Sequence, residues 1–161
     1  MGWVTLSLRK MVMTQKVSAL EHRLTKLSQE QQSLANSSAY EERIIGINKE
    51  EAYNSLMNDY SDNISNIAQG FNNGDADVQD LYEYQVQLQQ SNLDYIYNKM
   101  MIDSIFTQEE KILQDKVNQK QTYLSLEQEQ METQLEAARA ELQQLDQAVS
   151  QDIKQSTISL V

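Results

Sequence analysis

His22 is the only histidine and there is no cysteine, so the side chains that most often hold transition metals are nearly missing. In the heptad frame that places Val17 and Leu24 at a positions, His22 falls at f and points to solvent. Asp75, Asp77 and Asp80 follow an Asn-Asn-Gly and resemble the start of a calcium loop. A 12-residue EF-hand loop needs a bidentate glutamate at its last position; counted from Asp75, that position is Val86. The three aspartates fit a turn and a helix N-cap instead. The 24 acidic residues invite a search for a catalytic carboxylate pair, but such a pair works only in a concave, partly dry site. Neither a nucleophile elbow nor a glycine-rich phosphate loop is present. No enzyme activity, cofactor or metal is therefore expected, and what remains to be read is architecture.

The 161 residues include no proline and only four glycines, and aromatic residues, mostly tyrosine, make up 7%. Proline is the strongest helix breaker, and the abundant Gln, Glu, Leu, Met, Ala and Lys all favour helix. Few large aromatics argue against a thick core and for thin seams between long helices. An all-α, elongated antiparallel helical hairpin or coiled coil, a single domain over 1–161, is the expected fold.

Three apolar stripes support it. Trp3, Leu6, Met13, Val17, Leu20, Leu24, Leu27 and Leu34 share one a/d frame, with Lys10 and Gln31 in its polar slots, which predicts a helix over about 4–36. "ANSSAY" at 35–40 and Gly46 predict a break at 36–48, since Asn and Ser favour caps and Gly weakens a helix. Tyr53, Met57, Tyr60, Ile64, Ile67 and Phe71 predict a second helix over about 48–69. "QGFNNGDAD", 69–77, reads as the reversing turn, with Gly70 at a C-cap, Asn73-Gly74 in the bend and Asp75 or Asp77 at the next N-cap. Leu81, Tyr84, Leu88, Tyr95, Ile102 and Ile105, with slots at Ser91 and Asn98, lead through Phe106, Leu113 and Val117 into Leu124, Met131, Leu135, Ala138, Leu142, Leu145 and Val149. They predict one helix over about 77–153, roughly 115 Å long at 1.5 Å per residue, with a kink near 106–113 left open.

The seam expected between the arms joins Met13, Val17, Leu20, Leu24, Leu27 and Leu34 to Leu124, Met131, Leu135, Leu142, Leu145 and Val149. Charge agrees: residues 1–36 carry five cations and two anions, +3, whereas 121–161 carry two cations and seven anions, −5. One seam leaves apolar residues over. Tyr82, Tyr97, Met100, Met101, Ile44 and Ile45 are the candidate subunit interface, pointing to a homo-oligomer or to a helical partner protein. The net charge of −11 with no basic cluster argues against nucleic acid. No stretch reaches the ~20 apolar residues of a membrane span. Trp3, Val4, Leu6 and Leu8 beside Arg9 and Lys10 read either as the first helical turns or as an interfacial anchor. The apolar C-terminal residues read as a frayed end or as a tail docking on a neighbour. The start lacks a secretory h-region, which implies a cytoplasmic location, or export or virion release without a cleaved leader.

The outline, long N- and C-terminal helical arms around a middle segment, resembles the helical cores of bacterial flagellin-like and type III secretion filament proteins. That likeness implies a self-assembling structural subunit and assigns no residue a role. A soluble coiled-coil adaptor or chaperone of a secretion or assembly machine has the same outline.

Overall fold

The structure, a computed structural model, describes residues 2–71 and 77–159. It is all-α. Helix α1 runs from Gly2 to Phe71 and α2 from Val78 to Ile158, packed antiparallel as a hairpin.

The expected break at 36–48 does not occur, because α1 is helical throughout that stretch. Without proline no backbone donor is removed there. Half-buried Ser38, Ile45 and Lys49 carry the inward stripe from Leu34 to Tyr53, so packing outweighs a few unfavourable propensities, each worth less than about 1 kcal/mol. Gly46 is an exposed helical residue without positive φ, and a methyl group added there meets nothing within 4 Å. Gly46→Ala should therefore raise stability by about 0.5–1 kcal/mol, read as a higher urea midpoint at unchanged m-value. A lower midpoint would mean that the backbone at 46 needs its glycine.

In the following stretch Tyr53, Tyr60, Ile64, Ile67 and Phe71 are half-buried in the expected frame, with one exception. Leu56 takes the inward place expected for Met57, which is exposed. Gly70 does not cap α1; the helix reaches Phe71, whose ring packs on Tyr84 with centroids 4.5 Å apart. Asn73-Gly74 and Asp75 lie outside the described residues. Asp77 is the N-cap of α2: its carboxylate accepts hydrogen bonds from the Gln79 and Asp80 amides at 2.8 and 2.9 Å, and the Asp77 amide donates to the Asp80 carboxylate at 3.1 Å. This reciprocal pair is a capping box. Helix α2 is uninterrupted at 106–113 and extends to Ile158, beyond the expected 153; Leu160 and Val161 lie outside the described residues.

The chain divides into two compact units, Met1–Asn36 with Val117–Val161, and Ser37–Lys116. In the first, Met13, Leu20, Leu135, Ala138 and Leu145 form a buried cluster, with Leu6, Val17, Leu24, Met131 and Leu142 packed against it. Leu27 and Leu124 are fully buried, and Leu34 and Val149 are half-buried. Every expected seam residue thus faces inward. The polar slots are filled in pairs: Lys10 with Asp146, and Gln31, whose amide donates to Gln128 at 3.0 Å. Arg9–Glu141 at 2.8 Å and Arg139–Glu21 at 2.6 Å flank the stripe. Arg23 grips Glu127 through Nε at 2.8 Å and through a second nitrogen, and reaches Glu30 at 3.2 Å. The hydrogen bond to Glu127 raises the Arg23 pKa further above its already high value, so the cation of this link is not switched by pH.

Candidate interaction surface

The unit built from Ser37–Lys116 is bound differently. Its inward face mixes aliphatic residues such as Leu56, Ile64, Leu88 and buried Leu113 with aromatic and polar ones: Tyr60 packs on Tyr95 with centroids 4.7 Å apart, and the Tyr60 hydroxyl hydrogen-bonds Asn92. The Tyr53 hydroxyl donates to Asp103, and Lys49 approaches the same carboxylate at 4.0 Å. Ser91 is buried and accepts from the Asn63 amide at 3.3 Å. The buried Ser91 hydroxyl carries a partner because an unpaired one costs about 1–3 kcal/mol, and a single polar layer fixes which residues oppose each other.

The α2 ladder on the side of α1 is Tyr84, Leu88, Ser91, Tyr95, Asn98 and Ile102, stepping 4, 3, 4, 3 and 4, all buried or half-buried except Asn98, which is exposed. Two residues before each member stands another: Tyr82, Val86, Gln89, Leu93, Ile96 and Met100. A two-residue offset is about 200° around an α-helix, so this second ladder lies on the face turned away from α1. All its apolar members are exposed, Tyr82 at 67% and Met100 at 66%. Tyr97 and Met101, also exposed, broaden one edge. None of the six ladder positions is charged; at the next step, Asp103 is half-buried and turned back to α1, where Tyr53 and Lys49 hold its carboxylate.

Of the residues expected from sequence at an interface, Tyr82, Tyr97, Met100 and Met101 lie together on or beside this face. Ile44 is exposed on α1 with Tyr40 and Ile47, whereas Ile45 is half-buried on the inward stripe. Val86 and Leu93 are additions to the expected set; the signal that finds them is the repeat of the inward ladder two residues out of step. A smaller outward patch sits in the other unit, formed by Val4, Leu8, Met11 and Val12. Beside it, Arg9 and Lys10 pair with Glu141 and Asp146.

His22 is exposed, as its heptad position implies. Among the described residues no three His, Cys, Asp or Glu side chains gather as a metal site, and no helix is long and apolar enough to cross a membrane. The grooves at the helix ends, one lined by Asp77, Val78, Gln79, Tyr82 and Glu83 and one by Leu6, Arg9, Ala148 and Asp152, open broadly to solvent. Compared with known family models, curated proteins and solved structures, the chain matches none.

Proposed function

We propose that this chain is a non-catalytic structural subunit that associates with copies of itself through outward apolar stripes, building a filament, tube or ring. The observation that carries the reading is the uncharged ladder Tyr82–Met100 on the outward face of α2. Water-exposed apolar side chains in heptad order match the surface that a further helix covers in a coiled coil. The separate patch at Val4, Leu8, Met11 and Val12 gives the subunit a second face. A subunit with two distinct contact faces, each joining it to a further copy, can grow past a dimer.

Light scattering coupled to size exclusion over a hundredfold concentration range, with negative-stain images of the same fractions, tests this. Mass should rise with concentration. It should also rise with salt, because screening relieves repulsion between copies of net charge −11. A constant monomer mass at every concentration and salt would overturn the reading and direct the ladder to another protein.

A further inference from the structure

Resting on that reading, we propose the partner, direction and register of one contact: the outward ladder of α2 pairs with the same ladder of a second copy, antiparallel, about a two-fold axis at the level of residue 91. This sets Tyr82 against Met100, Val86 against Ile96, and Gln89 against Leu93, each twice.

Heptad geometry selects this arrangement. Val86, Leu93 and Met100 occupy a positions and Tyr82, Gln89 and Ile96 occupy d positions, and antiparallel helices pair a with d. The pairing is self-complementary, as an interface between identical surfaces must be. Moving one heptad in one direction would set Val86 against position 103, where Asp103 is held back on α1 by Tyr53 and Lys49 and offers no apolar side chain. Moving one heptad in the other would leave Met100 without an apolar partner.

The flanks agree with the direction. In the antiparallel register, Glu83 of one copy lies beside the Tyr97 hydroxyl of the other, and Lys99 beside the Gln85 amide oxygen, so each charge meets a hydrogen-bonding partner. A parallel pair puts Lys99 beside Ser104, leaves Glu83 without a donor, and stacks Gln89 on itself. Tyr82, Val86, Leu93, Ile96, Tyr97 and Met100 expose on the order of 700 Å² per copy, close to the ~800 Å² per partner of a standard stable interface.

The chain has no cysteine, so introduced thiols report without background. Val86→Cys and Ile96→Cys chains, mixed and mildly oxidised, should give a disulfide-linked pair joining 86 to 96, while neither variant alone links to itself. Tyr82→Cys mixed with Met100→Cys should behave likewise and checks the register at the far ends. All four sites are exposed, and melting curves matching the parent confirm that the variants fold. Self-linking of the single variants would mean a parallel pair and overturn this proposal while self-association stands. Association by light scattering without any of these disulfides would place the contact elsewhere, with the same consequence. Parent chains that stay monomeric would remove the functional reading and this proposal together.

Discussion

Leu27→Asp should cost the fold more than any surface change, because this side chain has no exposed area, 0%. Removing a buried leucine side chain costs about 2–5 kcal/mol through forfeited transfer energy and the cavity left behind. A carboxylate placed there must also give up water without a cation to meet it, which adds several kcal/mol unless it takes up a proton. A total of about 4 kcal/mol or more should lower the melting temperature by roughly 10 °C or more for a chain of this size, with a drop in helical circular dichroism at 37 °C. Leu135→Asp, in the same unit and part of its buried cluster, should behave alike. Leu126→Asp is the control: Leu126 is exposed on α2, and its replacement should shift stability by about 0.5 kcal/mol. Equal melting of Leu27→Asp and Leu126→Asp would sink the assignment of Leu27 to the seam.

That seam is legible in the sequence because its periodicity is strict. From Met13 to Leu34 on one side and from Leu124 to Val149 on the other, leucine-rich a and d positions stand among charged and amide residues, and a two-state pattern of this kind has one helical solution. The same pattern names a face but not the residue opposite. Lys10 meeting Asp146, Gln31 meeting Gln128, and Ser91 meeting Asn63 depend on how the two helices slide past each other. The continuity of α1 is hidden because "ANSSAY" and Gly46 argue locally for a break. Each is mildly unfavourable in a helix, yet the stripe through Ser38, Ile45 and Lys49 holds the segment regardless. Leu56 and Met57 stand three and four residues after Tyr53, so the spacing alone allows either to face inward, and the structure places Leu56 there. The outward ladder is half visible, since Tyr82 and Met100 stand out as leftovers while Val86 and Leu93 do not. Two ladders of equal period, offset by two residues, blur each other when only one face is sought.

The double variant Leu93→Glu, Ile96→Glu should separate association from folding. Both side chains are largely in water within a single hairpin, at 58% and 53% exposure, so the isolated subunit loses little: about 0.5 kcal/mol per site. Between copies the effect is large. Each apolar side chain that no longer packs against the neighbouring copy removes roughly 1–2 kcal/mol, and two subunits would bring four carboxylates together without cations to match them. Together these exceed about 4 kcal/mol, a weakening of roughly a thousandfold. Melting read at two concentrations distinguishes the two roles. Assembly that binds the folded chain and not the unfolded one raises the parent's melting temperature with concentration. The double variant should melt at one temperature throughout, about 2–4 °C below the dilute parent. If it melted about 10 °C or more below the dilute parent, Leu93 and Ile96 would belong to the packing of the hairpin itself. If its melting temperature rose with concentration as the parent's does, the outward ladder would not be the surface that joins copies.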